Sequence, residues 1–328
     1  MKRITALTHP LIDILHSCDA AFLRERGLTA GTYGMLSKSE QDNLIHACGP
    51  IITPLSMGGS AANSIACARQ LGVPCTMLGL AGDDSYGHLL HKHMRQLDIQ
   101  APLQLIEDAR TGTCLSLITP DGERTMRTCL GVATHLSAEH VTSTPIAASS
   151  WILLEGYFLT ASESNEAALS KAMDIAKASG VKIAFSAAAE FVVQAKRSTI
   201  LSNILPSIDL LFANAGEAML LTDTPTTTEA LAALTHLVPA AAITQGKEGA
   251  LGFMKGDTWH APSYSPNKPI IDTTGAGDVF AGAFLAGITI GHQPELAAKK
   301  ANKLASIVIT QHGALLPNGT RAAWEEAV

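Results

Sequence analysis

No block of lysine and arginine occurs in this sequence, no Cys-x-x-Cys pair, and no apolar stretch that reaches the ~18 residues of a membrane-spanning helix. Without a basic block, and with a net charge of −6, the chain is a poor partner for nucleic acid or an anionic membrane. Its six cysteines (Cys18, Cys48, Cys67, Cys75, Cys114 and Cys129) are scattered. That spacing excludes a zinc site or a disulfide frame and predicts free, mostly buried thiols in a reducing compartment, the cytoplasm. The N-terminal stretch through His9-Pro10 lacks a long apolar segment, so no signal peptide is expected. Internal repeats, low-complexity tracts and a clear linker are also missing. What is present is 328 residues at 47% hydrophobic and 16% charged, enough for one large α/β domain with an appendage, or for two domains.

The most informative stretch is Asp272-Thr273-Thr274-Gly275-Ala276-Gly277-Asp278, followed by the small-residue apolar run Val279 to Ile288. A glycine-rich turn opens directly into a helix. Unpaired N–H groups at a helix start, with the helix dipole behind them, favour an anion, and glycine lets the anion approach. Asp278 at the mouth of such a site reads as a proton acceptor rather than an anion binder. An ordinary turn with an N-cap is the structural alternative.

Along the chain, residues 4–9 and Leu11 to Leu15 read as strands, and residues 37–47 as a helix. Asp13 lies among four aliphatics, where it either caps a turn or binds a polar ligand such as a sugar diol. Gly58 and Gly59 open a helix of small residues that Gly72 ends, with Asn63 on its first turn as a ligand-facing or simply solvated amide. Cys75 to Asp84 reads as one buried strand and turn, followed by a helix over 85–97. Strands over 103–107, 113–119 and 124–127, with a turn at 119–123, fall outside the later alternation and suggest a small β lid. From about residue 150 strands and helices alternate regularly, with helices over 163–179, 191–203, 228–237, 278–290 and 294–311. This predicts a mostly parallel sheet covered by helices on both faces. Ligands in such sheets bind beyond the C-terminal strand ends. Three such ends stand out: Asn214 with Glu217, Thr244 with Gly246, and the 272–278 loop.

Four motifs in order carry a resemblance: Gly58 to Asn63 through Leu71-Gly72, Asn214-x-x-Glu217, Thr244-Gln245-Gly246-x-x-Gly249, and Asp272 to Asp278 with Phe280 and Gly282. Together they resemble the PfkB (ribokinase-like) family of carbohydrate and nucleoside kinases over essentially the whole chain. The resemblance implies one ribokinase-like α/β kinase domain with a β lid from segments about 13–56 and 103–130. It also implies ATP-dependent phosphorylation of a primary alcohol. Asp278 would be the base, and the N–H groups of Gly275, Ala276 and Gly277 the anion hole. Glu217, with Asn214, would organise Mg²⁺ through water. Thr244, Gly246 and Gly249 would line the ATP site, with Asn302 near the adenine and Arg124 reaching the phosphates. Asp13, Gly58, Gly59 and Asn63 would hold the sugar hydroxyls. ATP and Mg²⁺ are the implied cofactors, with a monovalent cation such as K⁺ left open.

Within the family, His9-Pro10-Leu11-Ile12-Asp13-Ile14 and Glu123-Arg124-Thr125-Met126 are similar to the adenosine-kinase branch, although His9 replaces that branch's asparagine. The expected substrate is an adenosine-like nucleoside, with Leu36, Leu117, Met126 and Leu130 as an apolar slot for the base. A free sugar such as ribose or fructose is the alternative, and a non-catalytic nucleotide-binding protein a weaker one. A dinucleotide-binding oxidoreductase is disfavoured, because Phe280 occupies the third fingerprint position. The small-molecule substrate is the expected partner of a monomer or homodimer.

Overall fold

A computed structural model describes residues 2–317 and 319–327. An eight-stranded sheet forms its centre. Across it run, in order, Asp257–Ala261, Ala250–Met254, Ala240–Thr244, Leu210–Asn214, Lys182–Ser186, Trp151–Glu155, Ile4–Leu7 and Cys75–Leu78. The first two are antiparallel to their neighbours and the remaining six run parallel. Central strands such as Trp151–Glu155 and Ile4–Leu7 are buried along their whole length, as their unbroken apolar runs require. Two cores fill the two faces. One is built around Phe280, Phe284 and Ile65, the other around Phe158, Phe185 and Ile152.

A second sheet of five strands, in the order Tyr33–Met35, Arg124–Cys129, Gly112–Ile118, Leu11–Ser17 and Ile52–Gly58, stands apart from the first. The Ser60–Gln70 helix leads out of it, starting at Gly59 with φ 101°, a conformation that favours glycine. The helix over Lys38–Cys48 opens with a capping box between Ser37 and Glu40.

Several sequence expectations need correction. Cys75 to Asp84 is two strands in different sheets, Cys75–Leu78 and Leu80–Gly82, the latter paired with Gln104–Ile106. The break falls at Gly79, where a Cβ would lie 2.8 Å from both the Pro10 ring and the Thr8 carbonyl oxygen. The 272–278 loop does not follow a strand, because residues 262–271 are irregular. Its glycines serve a helix N-terminus only. The Pro294–Val308 helix stops short of residue 311. Helices over Ala215–Thr222 and Thr320–Glu326 and strands over Tyr33–Met35 and Ile52–Gly58 are additions to the elements read from sequence. Short elements carry too few periods of hydrophobic pattern to be read.

Candidate active site

Two helices bring the site together. Ser60–Gln70 and Ala276–Ile290 pack so closely that a Cβ at Gly282 would run into the Ser64 carbonyl. At their N-terminal ends, Ser60 Oγ donates to Asp278 Oδ1 at 2.6 Å, and Asn63 Nδ2 donates to Oδ2 at 2.9 Å. The reading of Asn63 as a solvated amide is therefore wrong: it is 4% exposed, its Nδ2 is given to Asp278, and its Oδ1 has no partner among the described residues. Burial raises the Asp278 pKa, and the two hydrogen bonds oppose the rise. Gly275 caps the longer helix in the left-handed region at φ 75°. The N–H groups of Gly275 and Gly277 have no partner among the described residues, and Ala276 N–H makes only a long 3.4 Å bond to the Thr273 carbonyl. Three helix-start donors with little internal satisfaction are placed where an anion could meet them.

The loop is anchored by Asp272, which is fully buried. Its carboxylate accepts from Thr274 N–H and Gly313 N–H, each at 2.8 Å, and is ion-paired with Arg124 from the second sheet. Arg124 thus ties the five-stranded sheet to the 272–278 loop.

Above Asp278 lies a cavity of about 690 Å³ between the two sheets. Asp13 projects into it from mid-strand, caps no turn, and has no hydrogen-bond partner among the described residues. Burial pushes its pKa up to about 7, with Arg124 opposing. Gly58 is required beside it, since a Cβ there would collide with the Asp13 carboxylate. Gly59 is held against the His9 carbonyl in the same way. Glu155, at the end of its strand, also reaches the cavity. It accepts from Thr8 Oγ1 at 3.3 Å, His9 N–H at 3.1 Å and Ala61 N–H at 2.8 Å, and burial raises its pKa to about 7. Sequence reading missed it, although an acid ending a run of aliphatics at a parallel strand's C-terminus was a usable signal.

A smaller cavity of about 150 Å³ continues from Asp278 toward Asn214, Glu217 and Thr244. Asn214 and Glu217 form a capping box: Asn214 Oδ1 accepts from Glu217 N–H, and the Glu217 carboxylate accepts from Asn214 N–H and Nδ2 at 2.9 and 2.8 Å. Burial raises the Glu217 pKa to about 7. Gly246, Gly249 and Asn302 line neither cavity. Gly249, at φ 92°, abuts the Ala261 carbonyl, and Asn302 Nδ2 donates to the carbonyls of Ala261 and Pro262, both at 3.0 Å.

The apolar wall differs from the expected one. Met126 and Leu130 line the larger cavity, but Leu36 does not, and Leu117 is fully buried in the core. Strand alternation is the reason: Asp13 and Cys114 are paired neighbours facing the cavity, so Leu117, three residues on from Cys114, faces away. Aromatic residues take its place. Tyr33 and Phe191 stack with centroids 5.0 Å apart, and Tyr157 lies 6.2 and 6.1 Å from them. They come from segments far apart in sequence, which is why no local pattern announced them. The six cysteines are free, and all but Cys18 are buried. Among the described residues no helix is long and apolar enough to cross a membrane.

Comparison with known proteins shows the family. The family model for pfkB carbohydrate kinases matches residues 53–321. A 5-dehydro-2-deoxygluconokinase of Bacillus licheniformis is 27% identical over 83% of this chain and 86% of its own. An adenosine kinase of Dictyostelium discoideum is 27% identical over 96% of both chains. Among solved structures, the adenosine kinase of Sinorhizobium meliloti superposes with a TM-score of 0.93 at 29% identity, over 99% of both chains. A probable sugar kinase of Rhizobium etli gives the same TM-score at 26% identity, over 99% of this chain and 98% of its own. Matched over residues 53–321, a range that includes Ser60, Asn63 and Asp278, the chain belongs to the pfkB family of carbohydrate kinases and is an ATP-dependent phosphotransferase.

Proposed function

We propose that the chain phosphorylates a primary hydroxyl of a nucleoside, the ribose 5′-hydroxyl of an adenosine-like compound. The observation that carries this reading is the aromatic cluster of Tyr33, Tyr157 and Phe191, which lines the same cavity as Asp13 and Asn63. A free sugar can lay only a small C–H face there, whereas a base presents a flat π-face, and stacking a base on an aromatic ring contributes about 1–3 kcal/mol. The adenosine kinases among its relatives support the same choice.

In this reading Asp278 accepts the proton of the attacking hydroxyl. That oxygen forms a bond to the γ-phosphorus of ATP as the bond from the γ-phosphorus to the bridging oxygen breaks, and ADP leaves. Gly275, Ala276 and Gly277 present N–H groups to the transferring phosphoryl group, where charge builds up. Arg124, beside Asp272, is within the same cavity to meet phosphate oxygens. Glu217 and Asn214 fit Mg²⁺: one carboxylate and an amide, next to the space for phosphates, suit a hard cation that keeps several waters. The ion, when bound, neutralises phosphate charge. Thr244 lines the nucleotide side, and Gly246, Gly249 and Asn302 shape the loops around it. Asp13, Gly58, Gly59 and Asn63 hold the sugar. The five-stranded sheet, from segments about 13–56 and 103–130, acts as the lid. The free thiols fit the cytoplasm.

A second reading, a free-sugar substrate, is favoured by the acidic cavity floor of Asp13 and Glu155 and by the gluconokinase relatives. An ATP-consumption assay with Mg²⁺, with and without K⁺, over adenosine, other nucleosides, ribose, fructose and sugar acids decides between them. Adenosine or a close nucleoside should give the highest kcat/KM. Turnover of free sugars with no nucleoside activity would remove the nucleoside reading and leave the phosphotransfer chemistry intact.

A further inference from the structure

His9 lies in the cavity wall, and the roles assigned above leave it unused. It is 2% exposed, yet it borders the same space as Asp13, Asn63, Glu155 and Asp278. Its hydrogen-bonding state follows from its neighbours. Asn165 is fully buried, and its Nδ2 donates to the carbonyls of Ala133, Thr134 and Leu136 at 3.1, 3.3 and 2.8 Å. Those three acceptors fix which end of the amide is nitrogen. Asn165 Oδ1 is therefore the atom 2.8 Å from His9 Nε2. An amide oxygen only accepts, so Nε2 carries the ring hydrogen. Burial holds the ring pKa down to about 4, so near neutral pH the ring has one hydrogen only. Nδ1 is left with a bare lone pair, and the described residues give it no hydrogen-bond partner, the one ring bond of His9 being made through Nε2. The ring cannot turn away from this state. It stacks on Phe158 at 4.1 Å and 10°, and the backbone N–H of His9 is tied to Glu155.

We infer that His9 Nδ1 is a fixed hydrogen-bond acceptor for the phosphoryl acceptor, and that it selects substrates presenting a sugar hydroxyl as donor at that point. Asp13 and Glu155 border the same space, but their raised pKa values let each carry a proton near neutral pH, so among these three groups only the His9 nitrogen is a fixed acceptor. A ring nitrogen or carbonyl of a ligand would meet a lone pair there with no hydrogen between them. A hydroxyl satisfies it. A buried acceptor left unpaired by the wrong ligand is costly, which is what gives such a site its discrimination. The inference rests on reading this cavity as the acceptor-substrate site. It holds for nucleosides and free sugars alike, because both carry the hydroxyl.

The test pairs His9→Phe with single-deoxy analogues of whichever substrate the chain turns over. Phenylalanine keeps a ring against Phe158 and removes the acceptor. In the unsubstituted enzyme, one deoxy analogue should lose about tenfold in kcat/KM. In His9→Phe the parent substrate should lose a similar factor, and that analogue should lose nothing more. If every analogue keeps its full penalty in His9→Phe, the inference is overturned. A purely structural role for His9 would lower activity without removing the penalty of one particular hydroxyl. Should His9→Phe fail to fold, ¹⁵N spectra of the unsubstituted protein decide. Nε2 should be protonated and Nδ1 bare at pH 7, and the Nδ1 resonance should move when adenosine or ribose saturates the site. A protonated Nδ1, or an Nδ1 resonance that neither compound moves, sinks the inference. A switch of preferred substrate from nucleoside to sugar would defeat the nucleoside reading while leaving the His9 coupling in place.

Discussion

At the scale of residues, the proposed base is defined by the two donors that hold it. Asp278 has a pKa raised by burial, which strengthens it as a proton acceptor, while Ser60 and Asn63 keep the carboxylate oriented and limit that rise. Asp278→Asn should leave nucleotide affinity nearly unchanged and lower kcat by roughly 10²–10⁴-fold. Ser60→Ala separates orientation from proton transfer. A hydrogen bond to a charged group contributes about 1.5–3 kcal/mol, so kcat/KM should fall by about 10–100-fold. The acid limb of its pH profile should move to higher pH, because the ionised form loses a donor. An unchanged pH profile in Ser60→Ala, measured in the same assay, would show that the serine has no part in tuning the base. Asp278 and Asn63 were legible in the sequence from the glycine-rich helix starts. Ser60 lay inside the same motif but looked like any small residue at a helix start, and its partner is 218 positions away.

At the scale of elements, the site depends on how closely the Ser60–Gln70 and Ala276–Ile290 helices approach. Gly282 permits it, and alanine there would push against the Ser64 backbone. Gly282→Ala gains about 1 kcal/mol of helix propensity, but overpacking a tight contact costs about 1–3 kcal/mol. The expected outcome is a lower thermal midpoint together with a reduced kcat, since any separation stretches the Ser60 and Asn63 bonds to Asp278. A variant with full activity and a higher midpoint would mean that the two helices have slack. The strand–helix alternation after residue 150 could be read because each element spans several hydrophobic periods. The short Tyr33–Met35 strand carries only three residues, and so the aromatic wall it contributes to stayed hidden. Leu117 was misplaced for a related reason. Its apolar character is visible in sequence, but which face of the Gly112–Ile118 strand meets the cavity is set by its pairing with Leu11–Ser17.

At the scale of the whole molecule, three buried carboxylates border the two cavities that meet at Asp278. Asp13, Glu155 and Glu217 each have a pKa near 7, against 3.8 or 4.5 when free. The folded state therefore keeps protons that the unfolded chain has already released. The stability these groups contribute is present below their free pKa values and is lost as pH rises through about 7. Histidines held below their free value of 6.5 work in the opposite direction: His9, lowered to about 4, and His91, His93 and His292, lowered by partial burial. The ligand-free protein should consequently show a higher thermal midpoint near pH 5.5 than near pH 8, and Mg²⁺ with nucleotide should narrow the gap. A midpoint that rises between those pH values in the ligand-free protein would contradict the carboxylate assignments. The sequence by itself determined the fold class, the glycine-rich helix start and the acid beside it, because those depend on local periodicity and on glycine's access to conformations other residues avoid. Only the tertiary structure decided what surrounds that acid. The ion pair between Arg124 and Asp272, the stacked aromatics and the tautomer of His9 all arise where segments distant in the chain meet, and a contact between distant segments leaves no spacing in the sequence to read.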